Sequence, residues 1–157
     1  MRALTIDDEP IGSSGALAVY FAALDELARR YDAPIHRSRV EESEFESPNG
    51  FFLVARAEGQ LAGGVGLRTI TDSSRRLGEV KRLWVRPDLR RSGVAAAMMV
   101  EVVERARTLG FRQLYLETGW AQPEALALYP NIGWDPVADF PEGARVHDRS
   151  TRFTRVL

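Results

Sequence analysis

Residues 86 to 99, RPDLRRSGVAAAMM, run three arginines, an aspartate and a serine into Gly93-Val94-Ala95-Ala96-Ala97, a small-residue stretch that reads as a helix start. At such a start, unpaired backbone amides and the positive end of the helix dipole favour an anion. Gly93 permits close approach of the backbone, and the alanines keep side chains out of the way. Arg90 and Arg91 add mobile charge suited to a diphosphate. The same residues are also compatible with a basic loop that only solvates the helix start, with Ser92 as a simple N-cap.

The elements that position this stretch follow from periodicity. LGEVKRLWVRP (77 to 87) predicts a strand stopped by Pro87. From Gly93 to Leu109 a helix is predicted, with Val94, Met98, Val102, Ala106 and Leu109 as its apolar stripe and Gly110 as its stop. FRQLYLET (111 to 118) alternates as the next strand, and a helix-length crossover between two strands requires a parallel pair. Strands at 50 to 57 and 60 to 70, turning at Glu58-Gly59, should be antiparallel to each other and to 77 to 86. A strand at 2 to 6 leads into a helix that starts near Asp7-Asp8-Glu9-Pro10 and ends near Arg30, with Leu17, Tyr20, Phe21, Leu24 and Leu27 at helical spacing. A short helix at 123 to 132 and a strand at 149 to 157 complete the chain.

Strict alternation along 79 to 85 leaves no cleanly apolar face. A bulge near residues 82 to 84 would put Val80 and Leu83 on one core side and splay this strand from its parallel neighbour.

The 157 residues suit one domain, 1 to 157, with a real core. Twenty-one basic against 22 acidic side chains give a net charge of -1, so nucleic acid and anionic membrane are not expected partners and any anion site must be local. With no cysteine, disulfides, thiolate catalysis and cysteine-bound metals are excluded. His36 and His147 lack ligand-like spacing, so no metal is expected. MRALTIDDEP has no apolar signal core and no apolar run reaches membrane-span length, which makes a soluble cytoplasmic protein the expectation.

Arg90-Arg91-Ser92-Gly93-Val94-Ala95 resembles the R/Q-x-x-G-x-G/A signature of the GNAT superfamily of N-acetyltransferases. EVKRLWVRPDLRRSGVA resembles that family's strand, turn and signature loop together, and PEALALYPNIGW resembles its later A-x-x-L-Y-x-x-x-G-F/W segment. The resemblance implies an α/β (α+β) fold: a mixed, mostly antiparallel central sheet with a bulged, splayed parallel pair and helices on both faces. It also implies acetyl-CoA as co-substrate and acetyl transfer to a primary amine, on a small molecule or a peptide. Transfer would be direct, since no cysteine is present to form an acyl-enzyme.

By the same resemblance, backbone amides of Arg91, Ser92, Gly93, Val94 and Ala95 hold the pyrophosphate, helped by Arg90. Backbone groups of Leu83, Trp84 and Val85 pair with the pantetheine arm as an added strand does. Gln122 stands where many relatives use asparagine to touch that arm. Tyr129 aligns with the general acid that protonates the departing thiolate, and Glu79 with a base acting through water. Both also have plain structural readings: Tyr129 as a core-edge aromatic, and Glu79 as a strand carboxylate paired with Lys81, Arg82 or Arg68. Pro130, directly after Tyr129, departs from the family pattern and is expected to perturb the short helix.

The acceptor is expected among the segments flanking the gap, where Glu41, Glu42, Glu44, Glu46, Asp135, Asp139, Glu142 and Asp148 attract a cationic amine or are simply solvated. Tyr31, Phe45, Trp120 and Phe140 could line a pocket there or cover the sheet. A non-catalytic acyl-CoA-binding or sensing module is the rival reading, a domain for another phosphorylated nucleotide a third, and a homodimer stays open.

Overall fold

The computed structural model describes residues 3–34, 40–70, 73–142, 144 and 147–157. Arg2 and His36 lie outside the described residues. Seven strands form one sheet in the order β1-β2-β3-β4-β5-β7-β6. They are β1 (Leu4–Asp8), β2 (Gly50–Ala57), β3 (Gln60–Thr69), β4 (Leu77–Val85), β5 (Gln113–Gly119), β6 (Asp135–Pro136) and β7 (Ser150–Val156). Every pairing is antiparallel except β4 with β5. Helix α1 (Ser14–Tyr31) covers one face, and α2 (Val94–Thr108) and α3 (Pro123–Asn131) belong to the other.

On the α2 face, Val94, Met98, Val102 and Ala106 are buried as the stripe requires, against Val80, Val85, Leu114 and Leu116. Glu101 and Arg105 pair on the outer side. The α1 face is built differently from the sequence expectation. Asp7 and Asp8 belong to β1, and the helix starts at Ser13, whose hydroxyl accepts from Ala16 N at 3.2 Å. Its buried residues are Gly15, Ala16, Val19, Ala23 and Leu24, whereas Leu17, Tyr20 and Phe21 lie at the rim. Close packing explains the shift: a Cβ on Gly64 of β3 would lie 2.7 Å from Val19. Small residues on both elements bring the helix axis near the sheet, and larger ones fill its margins.

The bulge is present. Gly64 pairs with Trp84 and Gly66 with Lys81, so Arg82 and Leu83 together oppose one residue of β3. Arg82 takes φ +60°, the left-handed region that a residue with a Cβ adopts only at a cost. Val80 and Leu83 consequently belong to the same core, while Trp84 packs on the α1 side.

A Cβ on Gly63 would lie 2.4 Å from the Trp84 carbonyl oxygen and 3.1 Å from Met98. Gly63→Ala is therefore expected to cost about 2–3 kcal/mol, by forcing the bulged strand off its neighbour. Urea titration should show a clearly lowered midpoint, and an unchanged one would contradict this close approach.

Candidate active site

The parallel pair is short. Leu77, Gly78 and Glu79 register with Gln113, Leu114 and Tyr115, and there the pairing stops. Beyond it β4 continues to Val85 and β5 to Gly119 without a shared ladder. The two strands thus open a wedge whose vertex is Glu79 and whose β4 side is the free edge of residues 80 to 85.

At the mouth of the wedge, Pro87–Leu89 forms a single 3-10 turn before the chain enters α2. Gly93 is the N-cap, at φ +89° and with no side-chain cap. A Cβ placed on it would meet nothing within 4 Å, so the space in front of the helix start is open. Ser92 is not the cap: its hydroxyl donates to the Leu89 carbonyl. The first amides of α2 therefore have neither a helical nor a side-chain acceptor. Arg91, also at positive φ, is exposed. An uncapped, unobstructed helix start of this kind suits a phosphate.

Arg90 is not mobile. Its Nε donates to the Val85 carbonyl at 2.9 Å and its Nη2 to Glu26 of α1. Glu26 also lies 3.7 Å from Arg30, which pairs with Glu124 and donates to the Ala121 carbonyl at 2.9 Å. The last turns of α1 thereby tie the β4–α2 loop to the β5–α3 turn across the wedge. Tyr31 extends this tie: its hydroxyl donates to Gln122 Oε1 at 3.1 Å, and that oxygen also accepts from Gly119 N at 3.3 Å. Its ring meets the exposed Trp120 edge-on at 5.6 Å. Sequence reasoning did not assign Glu26 or Arg30 to this region. The signal available was their i, i+4 spacing, which by itself denotes only a helix surface pair.

Glu79 is fully buried. Arg68 Nη2 donates to its Oε2 at 2.9 Å, and Lys81 Nζ lies 3.1 Å from Oε1 as an ion pair without hydrogen-bond alignment. Arg68 also reaches Glu44 at 3.3 Å. Of the two sequence readings, the pairing with Arg68 and Lys81 is present, while Arg82 makes no ion pair with Glu79.

Tyr129 is buried on α3, its ring 5.5 Å from Phe153 and 6.2 Å from Trp134. Burial pushes its phenol well above the ordinary tyrosine value, so it stays protonated across the neutral range. Pro130 does not break α3. The helix runs on to Asn131, and the Tyr129 carbonyl accepts from both Ile132 N and Trp134 N. The missing N–H costs α3 one i→i−4 bond, and with only Asn131 following it in the helix there is little helix left to break.

The remaining expectations divide. Phe45 covers the sheet and Phe140 packs on Tyr115 at 5.5 Å. Glu41, Glu42, Glu46, Asp135, Asp139, Glu142 and Asp148 are exposed. Glu117 of β5 accepts from Ser150 Oγ at 2.7 Å and His147 N at 3.1 Å, with His147 Nδ1 at 2.8 Å. Burial alone would raise the Glu117 pKa, but these hydrogen bonds hold it below the usual carboxylate range. No helix among the described residues is long and apolar enough to cross a membrane.

A mixed sheet opened between two parallel strands, with an uncapped helix start at its mouth, is the architecture of acyl-CoA-dependent N-acyltransferases. The acetyltransferase (GNAT) family model matches residues 17–134, and the chain belongs to that family. Among curated relatives, the uncharacterized N-acetyltransferase YjgM of Escherichia coli is 28% identical, over 100% of this chain and 94% of its own length. IAA acetyltransferase of Azospirillum brasilense is 34% identical over 55% of this chain and 56% of its own. A GNAT-family acetyltransferase structure from Staphylococcus aureus superposes with a TM-score of 0.82 at 17% identity, covering 98% of this chain and 99% of the other. N-acetylglutamate synthase from Neisseria gonorrhoeae, solved with coenzyme A and L-arginine, superposes at 0.71 and 21%, covering all of this chain and 34% of that one. The protein is an acyl-CoA-dependent N-acyltransferase.

Proposed function

We propose that this chain transfers an acetyl group from acetyl-CoA directly to a primary amine. The observation that supports this most is the wedge beyond the Glu79–Tyr115 pair, with the uncapped Gly93 helix start at its mouth. In this reading, amides of Arg91, Ser92, Gly93, Val94 and Ala95 hold the pyrophosphate. The free edge of Leu83, Trp84 and Val85 receives the pantetheine arm. Arg90 already has Glu26 and Val85 as partners, so its contribution is to fix the loop as well as to supply charge. Gln122 presents its amide nitrogen to the arm, because its oxygen is held by Tyr31 and Gly119.

When bound, acetyl-CoA supplies a thioester carbonyl open to attack by an unprotonated amine. Tyr129 gives its proton to the departing sulfur, a role suited to a phenol that stays neutral at working pH. Glu79 holds the vertex of the wedge through Arg68 and Lys81. With Glu79 engaged by both cations, the acceptor amine binds in its small neutral fraction. A base role for Glu79, acting through water, is distinguished by the pH profile of Glu79→Gln.

The test is a CoA-release screen with acetyl-CoA against pooled primary amines. At least one pool is expected to release CoA well above the rate of thioester hydrolysis. Tight acetyl-CoA binding with no release from any pool would favour a sensing module instead.

A further inference from the structure

Arg82 is an exception among the described arginines. Each of the others that is withdrawn from the surface has a carboxylate or carbonyl acceptor: Arg68 has Glu79, Arg90 has Glu26, Arg76 has the Leu109 carbonyl, and so on. Arg82 is half-buried and makes no hydrogen bond or ion pair among the described residues. Its Nε is completely enclosed and unpartnered, and its guanidinium carbon lies 5.5 Å from the Tyr20 ring centroid. A charged donor left like this loses hydration and recovers only a cation–π contact.

Its position is equally unusual. Arg82 sits at the bulge with φ +60°, three residues past the last β4–β5 pair, so it belongs to the open stretch of β4. Its side chain lies on the α1 face, against Tyr20, with Lys81 and Glu79 preceding it on the strand. Strain of this kind is retained where it aims a side chain. The carboxylates around the wedge are committed elsewhere: Glu79 to Arg68 and Lys81, Glu26 to Arg90 and Arg30, and Glu117 to Ser150 and His147.

We infer that Arg82 binds a carboxylate on the acceptor, so that the amine acetylated here belongs to a free amino acid or a similarly small amino carboxylate. The inference rests on the acyl-transfer reading of the same wedge. A planar guanidinium with free donors pairs with a carboxylate through two parallel hydrogen bonds. That pairing would fix the distance from the carboxylate to the reacting amine.

The twenty standard L-amino acids and the carboxamide of each serve as probes, first for CoA release and then by calorimetry on the CoA-loaded protein. One or more acids should exceed the matching carboxamide about 10- to 100-fold in kcat/KM, the scale of a lost charge-assisted pair. Arg82→Asn, which tolerates positive φ, should erase that preference by raising KM for the acid while leaving KM for acetyl-CoA unchanged. Arg82→Lys should recover part of it. Equal use of acids and carboxamides, or Arg82→Asn with an unchanged acid KM, overturns the inference and leaves acyl transfer standing. Absence of acid binding together with turnover of simple amines also overturns it, whereas failure to bind acetyl-CoA at all would overturn both readings.

Discussion

Tyr129→Phe should lower kcat by at least about 100-fold while acetyl-CoA affinity stays within about threefold. The substitution removes one oxygen and leaves the ring against Phe153 and Trp134, so packing in the α3 corner is conserved. What disappears is a proton donor whose burial keeps it protonated through the working pH range. Loss of general acid catalysis is worth about 10²- to 10⁴-fold. In the proposed role that proton is used only as the sulfur departs, so the effect should fall on kcat rather than on acetyl-CoA affinity. Matched losses in turnover, affinity and thermal midpoint would instead assign Tyr129 to the core alone.

The second large effect is on stability. Glu79→Gln should cost about 3–5 kcal/mol, because the side chain is fully buried and balances both Arg68 and Lys81. Gln is nearly isosteric and can still accept from Arg68, so the loss is electrostatic: among the described residues the guanidinium keeps Glu44 as its one carboxylate. Urea midpoints measured beside Glu44→Gln should show the difference, since Glu44 is the more exposed partner and its loss should cost under about 1 kcal/mol. For the surviving folded enzyme, kcat/KM should rise with pH toward the acceptor's own amine pKa in both wild type and variant. The sign follows from the amine: raising pH increases the neutral fraction that attacks. An optimum displaced to alkaline pH only in Glu79→Gln would make Glu79 the base.

The sequence made the sheet and its defect legible for a physical reason. Along 79 to 85 no alternation gives a clean apolar face, and a single extra residue repairs it; the structure places that residue at Arg82–Leu83. The α2 stripe was equally readable because Val94, Met98, Val102 and Ala106 recur every four residues. On α1 the large residues misled, since Ala16, Val19 and Ala23 face the sheet where Gly64 lets the helix approach. Periodicity weighs hydrophobic size, whereas close packing selects small residues. The helix start at Gly93 was legible, but the partners of Arg90 were not, because Glu26 lies 64 residues away in sequence. Arg82 was visible as part of the expected bulge and as one of three candidate partners for Glu79, not as an unpaired guanidinium. Its isolation depends on where every neighbouring carboxylate goes, and that is a property of the folded molecule.

Acetyl transfer to an amine nitrogen with no covalent enzyme intermediate is tested directly by mass spectrometry of a reaction containing the protein, acetyl-CoA and the amine panel, following both small molecules and the intact protein through the first turnover. One amine should gain a single acetyl group on nitrogen as CoA appears in equal amount, with the protein mass unchanged throughout. Acetyl-CoA that stays bound and intact while no amine is modified, or an acetylated protein preceding the product, would contradict it.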